Sequence, residues 1–289
     1  MKQPNILITG ATGTVGTQLV KNLLSTDTSF RILARTKDQG ELMDNLPQAK
    51  IAFGDLSDND SLLQALQGIE KAFLLTNSSE HAEQLQLNFV NTAHKAGVKH
   101  IVKLSQFAAD KSSPVRFLRY HAIVENRIKE LGMNYTFLRP NLFMQGLIAF
   151  AHQIKYEHKF YGSIGKAVVS AVDIRDIAAV AAKALTESGH EDKIYNITGN
   201  EAISHYQMAE IFSRVLGKEI AYIDLTPEQM REALTAARFP EWQADGLMED
   251  FAHYAKGEAG AVYHTVHDIT GKAAINFEQF VYAYKHLFK

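Results

Sequence analysis

The 289 residues are 46% hydrophobic and 21% charged with a formal net charge of -2, the balance of a globular protein able to bury a large core. Cysteine is absent, which excludes disulfides, zinc–thiolate sites, iron–sulfur clusters and thiol nucleophiles. The near-neutral charge leaves no global basic field for nucleic acid, and no apolar run is long enough to span a bilayer.

The chain opens Met1-Lys2-Gln3-Pro4-Asn5 and runs straight into a short apolar strand, Ile6–Thr9, with no signal-peptide pattern. A cytoplasmic location is therefore expected, and the oligomeric state is left open. Val15–Leu24 carries Val15, Leu19, Val20, Leu23 and Leu24 on one helical face. Strands follow at Phe30–Ala34 and Lys50–Phe53, with a short helix expected around Glu41–Leu46 between them. Asp58 or Asn59 can cap the next helix. Lys71–Thr76 reads as a strand, Glu80–Ala96 as a helix stopped by Gly97, and His100–Ser105 as a fifth strand. Ser113-Pro114 starts a helix that carries His121 and Glu125 and ends at Gly132. Tyr135–Leu138 is a sixth strand, which Arg139-Pro140 is expected to break.

Strands that alternate with helices argue for a doubly wound parallel sheet covered on both faces. Beyond Pro140 the pattern loosens. Phe143–Ala151 reads as helical, Tyr161–Lys166 as a loop or hairpin, and Val168–Val172 as a strand. A helix is expected at Asp173–Leu185 and a strand at Ile194–Thr198. Helices at His205–Leu216 and Pro227–Arg238 flank a strand at Ile220–Leu225. Glu241–Lys256 follows as a helix, and Asn276 with Gln279 forms a capping box for the last one. The fold class read from this is α/β: a Rossmann-type sheet with a smaller α/β lobe. Residues 1–140 would bind a dinucleotide, and 141–289 would form a substrate-side lobe interwoven with them into one compact unit.

The decisive motif is Gly10-Ala11-Thr12-Gly13-Thr14-Val15-Gly16, set between the first strand and the first helix. Gly10 permits a tight turn, Gly13 lets the backbone approach a pyrophosphate, and Gly16 lets the helix sit close on the sheet. The phosphates would meet unpaired N–H groups and the positive end of the helix dipole. An acid at the end of strand two would select NAD, but the chain has Ala34-Arg35-Thr36-Lys37 there. Arg35 can grip a 2′-phosphate with Lys37 as a second charge, so NADP(H) is preferred and NAD(H) possible.

These glycines, with Gly54-Asp55-Leu56, Leu138-Arg139-Pro140-Asn141 and Asp173-Ile174-Arg175-Asp176-Ile177-Ala178, resemble the atypical short-chain dehydrogenase/reductase superfamily. Within it the chain is similar to the NmrA-like branch, which includes triphenylmethane-dye reductases, NADPH quinone reductases and redox-sensing regulators. The resemblance implies that the backbone at Thr12, Gly13, Thr14 and Val15 holds the pyrophosphate. It implies that Asp55 and Leu56 bracket the adenine and that Thr76 and Asn77 line the nicotinamide-side ribose. It further implies that Ser105 lies beneath the nicotinamide and that Pro140, Asn141 and Phe143 close over it.

Members of the superfamily commonly move a proton with Tyr-x-x-x-Lys. Here the matching helix has His121-Ala122-Ile123-Val124-Glu125, with the i,i+4 spacing kept and both residue types changed. His121 is a candidate proton donor near neutral pH, and Glu125 a candidate to orient it or contact the cofactor. The alternative is that the two are polar residues satisfying one another beside the pocket. Tyr120 is a further hydroxyl beside this frame, but four residues on stands Val124. Phe107, Phe143 and Met144 are candidates to floor a flat hydrophobic substrate site. The histidines, including His264-x-x-His267, match no metal spacing, so no metal is expected. Two functions follow from the same cofactor residues: an NADPH-dependent reductase of quinones, dyes or similar planar acceptors, and a non-catalytic NADP(H) sensor acting through a protein partner. A sugar-nucleotide epimerase is disfavoured by the missing Tyr-x-x-x-Lys.

Overall fold

The computed structural model describes residues 5–41 and 46–289. The helix expected around Glu41–Leu46 falls mostly outside them. The chain divides into two compact units, and both are discontinuous in sequence. The first comprises residues up to Ser112, Leu118–Arg139 and Ile177–Tyr195; the second takes Ser113–Phe117, Pro140–Asp176 and Asn196–Lys289.

The first unit is built on β1 (Ile6–Ile8), α1 (Thr14–Leu24), β2 (Phe30–Ala34), α2 (Lys37–Glu41), β3 (Ala49–Phe53) and α3 (Asn59–Ala65). It continues through β4 (Lys71–Leu74), α4 (Ala82–Lys95), β5 (His100–Leu104), α5 (Arg116–Glu130) and β6 (Asn134–Pro140). The chain then runs through β7 (Lys159–Gly162), β8 (Val168–Val169), α6 (Ile174–Thr186) and β9 (Lys193–Ile197). The strand order is β3-β2-β1-β4-β5-β6-β9, with every pairing from β3 through β6 parallel. β1 and β5 are buried along their whole length because helices cover both faces, and β1 accordingly reads as a continuous apolar run. Leu7, Ala72, Phe89, Val90, Ile101, Val124, Ile128 and Phe137 belong to one core cluster. The order reverses between β1 and β4, and ligands of such sheets lie outside the carboxyl ends of the strands at that reversal.

The second unit contains β10 (Ile203–Ser204), which pairs antiparallel with β8, α7 (His205–Leu216), and β11 (Ala221–Asp224), which pairs parallel with β7. α8 (Pro227–Ala236), α9 (Glu241–Ala255), α10 (Thr265–Thr270), α11 (Phe277–Ala283) and α12 (Lys285–Phe288) complete it. Phe160, Phe212, Phe277, Phe280 and Phe288 are its fully buried aromatic core. The capping box of Asn276 and Gln279 is present, as are two more at Ser204/Gln207 and Thr226/Gln229.

Several local expectations change. Tyr161–Lys166 is not a free loop: β7 enters it and pairs with β11, a partner too distant in sequence to be seen locally. Arg139-Pro140 does not break β6, because proline sits at its last residue, where the missing N–H costs little. The run after Phe143 is a tight 3₁₀ segment, Met144–Phe150, followed by a π-helical turn at Gln153–Glu157.

Segment 113–117 is held to α9 within the second unit. Arg116 forks onto Glu249 at 2.8–3.2 Å and donates to the Trp242 carbonyl. A β-carbon on Gly246 would stand 2.2 Å from the Phe117 ring. Gly246→Ala is therefore expected to destabilise the protein by about 1–3 kcal/mol through overpacking, against the roughly 1 kcal/mol that alanine gains in a helix. A urea midpoint at or above that of the wild type would refute this contact.

Candidate active site

Thr9 ties the end of β1 to the end of β4: its hydroxyl donates toward the Phe73 and Leu75 carbonyls and accepts from the Leu75 amide at 2.8 Å. This brings Leu75 against Gly10, whose φ of +65° and 3.0 Å clearance to Leu75 leave no room for a side chain. A β-carbon on Gly16 would lie 2.0 Å from the Gly10 carbonyl oxygen. α1 therefore starts in direct contact with the turn. Its N-terminus carries no side-chain cap and no acid in the first turn, while Thr12, Gly13 and Thr14 are exposed and Val15 and Gly16 buried. Those are the properties a pyrophosphate cradle needs: open N–H groups, a positive dipole end and nothing in the way.

Register places Ala34 opposite Phe53 at the ends of β2 and β3, and Arg35 just beyond is near enough to act on the charge of Asp55. The Arg35 backbone is pinned by Gln39, and its side chain is exposed next to exposed Lys37. Asp55 forms a tight turn, accepting from the Ser57 amide at 2.8 Å and hydroxyl at 2.5 Å. Those bonds, with Arg35 nearby, hold its carboxyl below the usual carboxylate range. Asp58, not Asn59, caps α3. Leu56 packs on the first unit's core. Thr76 accepts at 2.7 Å from the buried Gln86 amide, whose own oxygen has no protein partner. Asn77 is exposed beside it.

Further along the same strand edge lies a cluster of buried charge. Ile8, Phe73 and Val102 share one row across β1, β4 and β5, so Lys103 and Ser105 stand level with the beginning of the phosphate turn. Leu104 opposite Leu138 puts Ser105 level with Arg139. The Ser105 hydroxyl donates to Glu125 at 2.5 Å, and Arg139 forks onto the same carboxylate at 3.0 and 2.5 Å. Glu125 is 2% exposed, so the carboxylate is desolvated, while Arg139 is half-buried. Lys103 is fully buried, and its ammonium lies 2.7 Å from Nδ1 of His121 and 3.0 Å from the Leu104 carbonyl.

The chain belongs to the NmrA-like family. The match to that family spans residues 2–279. The chain is 35% identical to the NAD(P)H azoreductase of Xenophilus azovorans over 98% of its own length and 99% of the relative's. It superposes on the NADPH-dependent quinone oxidoreductase of Escherichia coli, solved with NADPH, at a TM-score of 0.90, with 28% identity and coverage of 98% and 100%. Triphenylmethane reductase of a Citrobacter species, solved with NADP(H), gives a TM-score of 0.86 at 26% identity, covering 96% of this chain and 99% of that one.

In this NmrA-like chain the candidate residues are distributed unequally. The glycine turn, Arg35, Lys37, Asp55, Leu56, Thr76, Asn77, Ser105, Phe107, Tyr120, His121 and Glu125 all belong to the first unit. Pro140, Asn141, Phe143 and Met144 belong to the second. Asn141 is buried there: its amide donates to the Ser170 hydroxyl and the Ala259 carbonyl, and its oxygen accepts from Leu142. Both amide protons are thus spent inside the unit and the residue is 4% exposed, which sets it apart from the expected closure over the cofactor. Met144 is 2% exposed within the second unit's core, so it packs instead of lining a substrate surface. Phe143 and Phe107 are half-buried. Among the described residues no group of metal-ligating side chains comes together.

His121 and Glu125 do not satisfy one another as the simplest structural reading had it. Burial, with Lys103 and Arg139 nearby, drives the His121 ring far below its ordinary titration range, so it is neutral and is no imidazolium acid near pH 7. Tyr120 is buried with its ring 4.1 Å from that of His121. Sequence reasoning missed Lys103 and Arg139. The signal for Lys103 was available, since a lysine in the centre of the apolar strand His100–Leu104 must find a buried partner.

Proposed function

We propose that this chain binds NADP(H) along the carboxyl edge of the first unit and uses it to reduce planar acceptors such as quinones or azo dyes. The observation that carries the reading is the packing of Gly16 on the Gly10 carbonyl, where an added β-carbon would stand 2.0 Å from the oxygen, so the helix starts against the turn with no side chain between. The dinucleotide fits the residues present: the amides of Thr12, Thr14 and Val15 for the pyrophosphate, with the Gly13 amide closing the turn onto the Gly10 carbonyl, Arg35 and Lys37 for the 2′-phosphate, and Thr76 with Asn77 for a ribose. The Gln86 amide nitrogen donates to the Thr76 hydroxyl, which leaves that hydroxyl's own proton free for a ribose, while the buried Gln86 oxygen has no protein partner. When bound, the reduced nicotinamide supplies two electrons and one hydrogen as hydride. The chain's own residues orient and shield: the Ser105–Glu125–Arg139 cluster keeps the strand edge rigid and dry. No described helix is long and apolar enough to cross a membrane, and the lack of cysteine suits work in a reducing cytoplasm.

The test is NADPH oxidation against a panel of quinones, azo dyes and triarylmethane dyes. Turnover above background supports the reductase; tight NADPH binding without turnover on any acceptor replaces it with a sensor acting through a protein partner. Arg35→Ala is expected to cut NADPH affinity roughly tenfold to a hundredfold, the loss of a charge-assisted contact, while leaving NADH affinity nearly unchanged. A variant that keeps its NADPH preference in fluorescence titrations removes the assignment of Arg35.

A further inference from the structure

We propose that α3, α4 and α5 together form a second binding site, for a small molecule carrying a diphosphate group. A cavity of about 350 Å³ opens among these helices, at the small end of the range for small-molecule sites, and its lining lies wholly within the first unit. Asn88, Asn91, Thr92 and Lys95 line it from one face of α4, joined by Asn59 of α3 and Arg127 of α5. The cavity shares no lining residue with the phosphate turn, with Arg35 and Lys37, or with the Ser105–Glu125–Arg139 cluster.

What marks the cavity is the state of its asparagines. The Asn91 oxygen accepts from Arg127 Nε at 2.9 Å, and a guanidinium can only donate, so the orientation of that carboxamide is fixed. The Asn59 oxygen accepts from the Thr92 hydroxyl at 3.2 Å, and the Asn88 oxygen from the Gln84 amide at 2.8 Å. All three oxygens are occupied, while among the described residues nothing accepts from the three amide nitrogens. The lining therefore presents N–H donors and the two cations Lys95 and Arg127, and no carboxylate belongs to it. Glu130 lies outside the lining, is exposed, and engages only Nη1 of Arg127, at 3.3 Å.

A lining of donors is satisfied by a ligand that only accepts, and best by an anion. Helix stability does not account for Asn88 and Asn91, because asparagine is a poor residue for a helix interior. Lys95 alone would be explained by the favourable place of a cation in the last turn of α4, but the free carboxamides are not. From Asn88 to Lys95 the donors span about 10 Å of helix, more than one phosphate group fills. They also come from three helices, and tetrahedral phosphate oxygens meet donors from several directions where a planar carboxylate does not.

Nitrogen-15 NMR of the full chain, titrated with inorganic pyrophosphate at constant ionic strength, reads the site through its side-chain amides. The Asn59, Asn88 and Asn91 signals are expected to shift and saturate together. The backbone signals of Thr12 to Val15 are scored separately, so filling of the phosphate turn is not mistaken for this site. Lys95→Ala changes an exposed side chain and should leave folding intact; it is expected to raise the Kd at the asparagines about tenfold, the worth of one charge-assisted contact. Arg127→Met should raise it by about the same factor or more. Citrate, which offers only carboxylates, is expected to bind roughly tenfold more weakly than pyrophosphate. Shifts that grow without saturating, or a Kd unchanged in Lys95→Ala and Arg127→Met alike, would overturn the site. Citrate binding as tightly as pyrophosphate would overturn the diphosphate assignment.

Discussion

Gly16→Ala is expected to weaken NADPH binding by a hundredfold or more and to destabilise the protein by about 1–3 kcal/mol. The added carbon would meet the Gly10 carbonyl oxygen at 2.0 Å, the Gly10 carbonyl carbon at 2.7 Å and the Ala11 α-carbon at 2.8 Å. All three are backbone atoms, so no rotamer change relieves the clash. Gly10 has little room to retreat, because even an added β-carbon there would meet Leu75 at 3.0 Å, and Thr9 holds Leu75 in place. The helix must therefore move away from the turn, and its amides leave the position where phosphate would meet them. Alanine elsewhere in a helix gains roughly 1 kcal/mol over glycine, so the predicted sign is opposite to the propensity effect. Fluorescence titration and urea unfolding measure the two quantities. Binding within threefold of the wild type would mean that the cradle is not where this turn places it.

Glu125→Ala is expected to cost about 3–5 kcal/mol of stability, the range for breaking a buried ion pair from one side. The carboxylate is the acceptor for two donors of Arg139 and for the Ser105 hydroxyl, and it is almost fully buried. Removing it leaves a half-buried guanidinium and a buried hydroxyl unpaired and a second cation, Lys103, without its counter-charge. Glu125→Gln keeps the shape and one acceptor, and should lose less than half as much. Thermal and denaturant unfolding of both variants check this. Equal losses would show that packing, not charge pairing, is what Glu125 contributes.

The parts of the site that lie along a continuous stretch of chain were readable from the sequence. The glycine turn is one such part, because its geometry depends on residues three and six positions apart within a strand–turn–helix frame. The pairing of Arg35 with Asp55 was half visible, since each ends a recognisable strand, while their adjacency depends on β2 lying beside β3. Asn141 and Met144 misled because each follows the Arg139-Pro140 motif, yet their side chains are fixed by residues far along the chain, Ser170 and Ala259 for Asn141. His121 and Glu125 looked like a self-contained i,i+4 pair. In the fold they face different partners: Lys103 on β5 for the histidine, and Ser105 with Arg139 for the glutamate.

Hydrophobic periodicity and the spacing of Gly10, Gly13 and Gly16 were enough for the doubly wound architecture and for the tight strand–turn–helix junction, because both follow from local backbone rules. The state of the proton-bearing groups does not. Whether His121 is charged, which of its nitrogens holds hydrogen, and whether Lys103 has a partner all depend on which side chains parallel strands bring to one level and on the water they exclude. That is a property of strand register and burial, which arises only when residues distant in sequence are packed together.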